Sequence, residues 1–138
     1  MAQAHQHSWH AEVVPLLCSA VSGLLAIYAF GSRIHGTAQA DSDLDLAVLV
    51  AGYADPLDLW HLGSDLSDRV GCPVDLLDLR AASTVMQYQI VTTGQRFWVK
   101  DGQAPLFEAA ILSDKTELDA ARQGLLADIQ KDGRIYAR

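Results

Sequence analysis

Positive charge and cysteine are both scarce in this sequence of 138 residues. Lys and Arg together number 10 against 17 Asp and Glu, which gives a formal net charge of −7. An acidic surface repels a polyphosphate backbone, so this balance argues against direct binding of nucleic-acid polymers. The two cysteines, Cys18 and Cys72, lie far apart and form no metal-binding motif. They predict a reduced, cytoplasmic protein in which both thiols are small buried side chains.

The sequence also lacks a long unbroken hydrophobic run. An uncharged stretch covers residues 13–30, but no Lys or Arg precedes it and four residues interrupt it: Pro15, Ser19, Ser22 and Gly23. These features argue against a membrane span or a signal peptide. Half of the residues are apolar and no internal repeat is visible. We therefore expect a single domain over 1–138, with a flexible start over 1–10 and a C-terminal helical segment over 103–138.

Apolar periodicity predicts an alternation of helices and strands along the chain. The predicted strands cover 25–30, 44–50, 73–79 and 96–99. The predicted helices cover 11–22, 32–38, 55–71, 83–93 and most of 103–130. This order predicts an α+β fold, in which helices flank a small mixed β-sheet of four strands.

Asp43 and Asp45 open the strand predicted over 44–50. Because side chains alternate along a strand, the two carboxylates point to one face, while Leu44 and Leu46 point to the other. Carboxylates this close repel each other unless a cation lies between them, and their hard oxygen ligands suit Mg²⁺ or Mn²⁺. The pattern indicates a metal site at the start of a buried strand.

Gly31 and Ser32 lie between the strand that ends at Phe30 and the helix predicted over 32–38. Free backbone N–H groups and the positive end of the helix dipole favour an anion at such a turn, and the Ser32 hydroxyl can donate a further hydrogen bond. Ten residues separate this phosphate site from the metal site. Together the two predict a metal-bound nucleoside triphosphate. Arg33 either helps to neutralise the phosphates or is an exposed helix arginine.

A third carboxylate would complete the site and take the proton from an attacking hydroxyl, and the strand over 73–79 offers Asp75 or Asp78. These two differ in strand parity, so only one of them faces the site. We favour Asp75, which lies near the start of the strand with apolar neighbours on the opposite face. Four aromatic side chains can either stack on a base or fill the core, and core packing is favoured for each: Trp60, Tyr88, Phe97 and Trp98.

The joint pattern of Gly-Ser, ten residues and Asp-x-Asp resembles the nucleotidyltransferase superfamily typified by DNA polymerase beta. Three stretches are similar to the minimal nucleotidyltransferases, the small antitoxins partnered with HEPN-domain ribonuclease toxins: FGSRIHGTAQADSDLDLAVLV, VDLLDLR and IVTTGQRFWVKD. The resemblance covers most of the chain and implies the polymerase beta-like nucleotidyltransferase fold.

The resemblance also implies a reaction, in which AMP passes from ATP to a tyrosine hydroxyl of the toxin and silences its ribonuclease activity. In this chain, Gly31 and Ser32 would hold the triphosphate, with Arg33 and Ser42 as further contacts. Asp43 and Asp45 would bind two Mg²⁺ ions, with Mn²⁺ as an alternative. Asp75 would complete the metal site and act as the base.

Two other functions stay open on the sequence alone. The first is an antitoxin without catalytic activity that occludes a basic toxin, which the net charge of −7 favours. The second is a nucleotidyltransferase of the aminoglycoside type, which modifies a small molecule. The choice of ATP over another nucleotide depends on the resemblance.

Overall fold

The strands and helices alternate along the chain as the apolar periodicity predicts. The structure is a computed structural model that describes residues 9–31 and 43–114. Its strands are β1 (Leu24–Phe30), β2 (Leu44–Val50), β3 (Val74–Asp78) and β4 (Gln95–Val99). Its helices are α1 (His10–Ala20), α2 (Pro56–Val70), α3 (Thr84–Thr93) and α4 over 103–114. The helix predicted over 32–38 and the tail beyond 114 lie outside the described residues.

The four strands form one mixed sheet in the order β3-β2-β1-β4. The central strand β1 pairs in antiparallel fashion with both β2 and β4. Strand β2 pairs in parallel with β3, and α2 provides the crossover between them. A strand that is buried on both faces reads as a continuous apolar run, as β1 does with the sequence LLAIYAF. The predicted α+β class and the small mixed sheet are therefore confirmed.

Helices cover both faces of the sheet, and each face has its own hydrophobic cluster. On the first face, Leu44, Leu46 and Val48 of β2 pack with buried residues of α1 and α2. On the second face, Ala47 and Leu49 of β2 pack with buried residues of α3 and α4. Side chains alternate between the two faces along β2, so Asp45, the carboxylate inside this strand, lies on the second face.

Capping residues set the ends of two helices where the sequence predicts them. The Asp55 Oδ1 atom accepts the Leu57 N–H at 2.8 Å, Pro56 is the first residue of α2, and Gly71 ends the helix with φ +87°. The Ser83 Oγ atom accepts the Met86 N–H at 3.2 Å at the start of α3. Such caps satisfy backbone groups that would otherwise lack a partner, and the left-handed conformation at the C-terminal end favours glycine.

Helix α4 is tied to the sheet through one carboxylate oxygen. The Tyr28 O–H of β1 donates to Glu108 Oε2 at 2.7 Å, and the Arg96 Nη1 atom of β4 donates to the same oxygen at 2.6 Å. Tyr28 is 2% exposed. Burial raises the pKa of Tyr28 strongly, and the bond to Glu108 adds to the rise. A charged partner makes such hydrogen bonds about twice as strong as neutral ones, so this junction holds α4 against the second face.

The prediction that both cysteines are buried is wrong. Cys18 is exposed and Cys72 is half-buried. Cys18 follows Leu17, which is fully buried on α1; one residue further along a helix turns the side chain by about 100°, out of the packed face. In residues 9–31 and 43–114, no helix is long and apolar enough to cross a membrane.

Candidate active site

Three carboxylates converge where β2 and β3 begin. The parallel pairing of these strands places Asp45 opposite Asp75, and Asp43 directly precedes β2. Asp45 is half-buried, whereas Asp43 and Asp75 are exposed. In a parallel pair, residues in register point to the same face, so Asp45 and Asp75 share the second face of the sheet. The structure thus brings together the three aspartates that the sequence singled out.

The electrostatics of this cluster are unfavourable without a cation. Burial raises the pKa of the Asp45 carboxyl, and the nearby carboxylates of Asp75 and Asp43 raise it further. Both causes penalise the ionised form of Asp45. A positive charge placed between the three side chains would remove the repulsion.

Gly31 brings the turn after β1 against the same cluster. Its φ is +84°, a left-handed conformation that favours glycine, and a Cβ atom at this position would collide with Oδ2 of Asp45. The backbone at residue 31 therefore lies directly beside the Asp45 carboxylate. A cavity of about 260 Å³ opens at this junction, between Gly31, Asp45 and the α3 residues Met86, Gln89 and Thr93.

Helix α3 contributes to this cavity, although no motif in the sequence indicates that it does. Met86, Gln89 and Thr93 are spaced by three and four residues, so they form one stripe along a helix. That spacing is visible in the sequence. The stripe could not be recognised as part of a site, because nothing in the sequence shows which face of α3 turns towards Gly31.

Asp78 has a different role from Asp75. It is 8% exposed, its Oδ2 atom accepts the Ala54 N–H at 2.9 Å, and its Oδ1 atom accepts the Arg80 N–H at 3.0 Å. These bonds fix the loop before α2 and the turn after β3. Asp78 pairs with Val48 of the first face, which agrees with its parity opposite to Asp75. Its carboxylate stabilises loops and lies away from the cluster.

The donor set of the cluster fits a hard divalent cation in its chemistry, because three carboxylates that repel one another are the oxygen ligands that Mg²⁺ prefers. Among the described residues, however, no three His, Cys, Asp or Glu side chains are arranged closely enough to enclose an ion as they stand. Asp43 and Asp75 are exposed, so they are free to reorient towards a cation. Ser32, Arg33 and Ser42 lie outside the described residues.

The aromatic side chains behave differently from one another. Phe97 and Trp98 are half-buried and pack against the first-face cluster, which confirms the core-packing prediction for these two. Tyr88 is half-buried on α3. Trp60 is 69% exposed on α2, so the core-packing prediction is wrong for this residue. The helix packs on β3 through Leu59 and Leu66, and position 60 falls outside that stripe.

A glycine turn beside aspartates on two neighbouring strands of a small mixed sheet defines a nucleotidyltransferase domain. In agreement, the family model described as polymerase beta, nucleotidyltransferase matches residues 17–103, and this chain belongs to that family. It is similar to the protein adenylyltransferase MntA of Shewanella oneidensis, with 37% identity over 118 residues, 86% of this chain and 85% of the relative.

Solved structures show the same likeness. The chain resembles one in a toxin–antitoxin complex with AMP-PNP, with a TM-score of 0.75 and 37% identity over 87% of this chain and 97% of that one. It also resembles a chain in the complex of tri-AMPylated Shewanella oneidensis HEPN toxin with its MNT antitoxin. That match has a TM-score of 0.71 and 34% identity and covers 91% of this chain and 98% of the other.

Proposed function

We propose that this protein is an Mg²⁺-dependent adenylyltransferase antitoxin, which transfers AMP from ATP to a tyrosine hydroxyl of a HEPN-domain ribonuclease toxin and thereby neutralises it. The observation that carries the proposal is the pairing of Asp45 with Asp75 beside Gly31. The likeness to a protein adenylyltransferase and to an antitoxin bound to an AMPylated toxin supports the choice of donor and acceptor.

The residues of the site divide the tasks of this reaction among them. The backbone at Gly31, together with Ser32, Arg33 and Ser42, binds the triphosphate. Asp43, Asp45 and Asp75 would hold the divalent ions, which when bound would supply positive charge to the phosphates and to the departing pyrophosphate. The Asp75 carboxylate also accepts the proton of the attacking hydroxyl. Catalysis then depends mainly on positioning and on fixed charge.

The proposal is tested by incubating the purified protein with ATP, Mg²⁺ and its HEPN-domain toxin partner. Mass spectrometry of the toxin should show the addition of whole AMP units on tyrosine, and its ribonuclease activity should fall in parallel. Asp43→Asn, Asp45→Asn and Asp75→Asn should each lower the transfer rate by at least about 100-fold, because each removes one charged ligand.

A matched control is Asp65→Asn, which makes the same change of charge at an exposed position of α2. It should transfer AMP at the rate of the natural protein. Full activity in all three site variants would show that the carboxylates are not the catalytic groups. A toxin that is neutralised in a tight complex without any added AMP would instead support occlusion as the mode of action.

A further inference from the structure

A groove on the far side of the carboxylates from Gly31 has no role in the site described so far. It has a volume of about 360 Å³ and lies between α2 and β3. Asp43 and Asp75 form its polar rim, and Trp60, Gly63 and Ser64 of α2 are among the residues that form its wall. The carboxylate cluster therefore borders two cavities: Asp45 lines the one beside Gly31, and Asp43 and Asp75 line this one, which we call the Trp60 groove.

The floor of the Trp60 groove is held in place by hydrogen bonds. The Ser67 hydroxyl donates to the Gly63 carbonyl at 2.8 Å and accepts the Val74 N–H at 2.8 Å. A Cβ atom at Gly63 would lie 3.2 Å from the Val74 carbonyl oxygen, which shows how closely α2 approaches β3. The groove therefore keeps its shape without a ligand, as pre-organised sites do.

Trp60 leaves a large apolar surface uncovered in this groove. It is 69% exposed, and its indole ring makes an edge contact with the ring of its neighbour His61 at 5.3 Å between centroids. An exposed tryptophan contributes little to folding, whereas tryptophan is among the residues that dominate binding energy when a partner covers it. A cavity of roughly 150 Å³ accepts a benzene ring, so the groove has room for one aromatic side chain of a partner.

The direction of the proposed reaction determines which substrate enters this side. In nucleotidyl transfer, the attacking and leaving oxygens lie in line on opposite sides of the phosphorus. A triphosphate seated at Gly31 releases pyrophosphate on the Gly31 side. The attacking hydroxyl then approaches from the opposite side, where the Trp60 groove lies with Asp75 on its rim. A rim of two carboxylates also suits a neutral hydroxyl better than a phosphate.

We propose that the Trp60 groove receives the acceptor tyrosine of the partner protein, with Trp60 as a positioning residue that packs against the phenol ring. The inference rests on the function proposed above. The phenol oxygen forms a bond to the α-phosphorus, and its proton passes to Asp75. The bond from the α-phosphorus to the bridging oxygen breaks, and pyrophosphate leaves with the electron pair.

The kinetic test varies the concentrations of toxin and ATP separately. Trp60→Ala should lower kcat/KM for the toxin by about tenfold and leave KM for ATP unchanged, because an aromatic contact is lost on the acceptor side alone. Trp60→Phe should stay within about threefold of the natural protein, since a ring is retained. The matched control is Leu57→Ala on the same helix. Leu57 is 62% exposed and does not line the groove.

A second measurement needs no transfer. The photo-crosslinking residue p-benzoylphenylalanine, placed at position 60, should crosslink to the toxin segment that contains the acceptor tyrosine when ATP is absent. A photoprobe placed at position 57 should not label that segment.

The outcomes separate this inference from the proposed function. If the natural protein transfers AMP but Trp60→Ala is as active as the control, or raises only the KM for ATP, the groove does not hold the acceptor. An equal loss in Trp60→Ala and Leu57→Ala also overturns the inference. If the natural protein transfers no AMP, the proposed function fails, and a crosslink from position 60 to a tyrosine segment would still support the groove as the contact.

Discussion

Replacing Gly31 by alanine perturbs the candidate site through the backbone. The residue has φ +84°, and a side chain in this left-handed conformation costs about 1–2 kcal/mol. The new Cβ atom would also collide with Oδ2 of Asp45 and lie 3.1 Å from its Cγ atom. Either the carboxylate moves or the turn opens, and overpacking of this kind costs about 1–3 kcal/mol more.

Gly71→Ala provides a control with almost the same backbone cost. Gly71 ends α2 with φ +87°, and a Cβ atom there would meet nothing within 4 Å. We expect this variant to lose about 1–2 kcal/mol of unfolding free energy and to keep the transfer rate of the natural protein. The difference between the two variants then measures the collision with Asp45.

The assay combines urea unfolding, followed by circular dichroism, with the rate of AMP transfer well below the unfolding temperature. Gly31→Ala should lose about 2–5 kcal/mol of unfolding free energy in total, the sum of the two costs. The fraction that stays folded should transfer AMP at least about 100-fold more slowly, because a displaced carboxylate no longer stabilises the reaction. If Gly31→Ala were no less stable than Gly71→Ala and kept its rate within about twofold, the contact with Asp45 would be irrelevant to the site.

Two further substitutions separate stability from chemistry. Asp78→Asn should lower the unfolding free energy by about 1–3 kcal/mol, because Asp78 accepts two backbone hydrogen bonds. The folded variant should keep its transfer rate. A variant that is stable but inactive would contradict the loop-stabilising role of Asp78. The raised pKa of Asp45 means that the folded protein disfavours the ionised carboxylate. The protonated carboxyl therefore adds to the free energy of unfolding at acidic pH, and this contribution is lost as the pH rises through the raised pKa. Near pH 7, with a chelator present to remove metal ions, Asp45→Asn should therefore have a higher free energy of unfolding than the natural protein. Urea unfolding at acidic pH should show that this difference disappears. A difference that persists at acidic pH would rule out the electrostatic cause.

The secondary structure could be predicted because local signals and tertiary packing agree. Strand β2 has the predicted limits, since its apolar run begins directly after Asp43 and ends at a turn containing Gly52. Helix α2 begins after the Asp55 cap and ends before Gly71, both of which are visible in the sequence. Alternation also separated Asp75 from Asp78, because strand parity depends on position along the chain alone.

Burial of single helix residues and contacts distant in sequence could not be predicted. Cys18 and Trp60 are exposed because the sheet contacts another face of their helices, and that face depends on how α1 and α2 dock. The contact of Gly31 with Asp45 requires β1 and β2 to be paired in a particular register. Neither strand carries a local signal for its partner, so only the three-dimensional arrangement identifies such contacts.

Strand pairing holds the aspartates in place, so the protein tolerates insertions and deletions only where they leave this pairing intact. Asp45 and Leu46 are adjacent in β2 but lie on opposite faces. Deletion of one residue inside β2 would turn a leucine side chain towards the candidate site and an aspartate carboxylate into the hydrophobic core. Extra residues around Gly52, where there is open space, would leave the pairing untouched. A longer connection at this point would therefore change the outer surface of the protein while the aspartates keep their places.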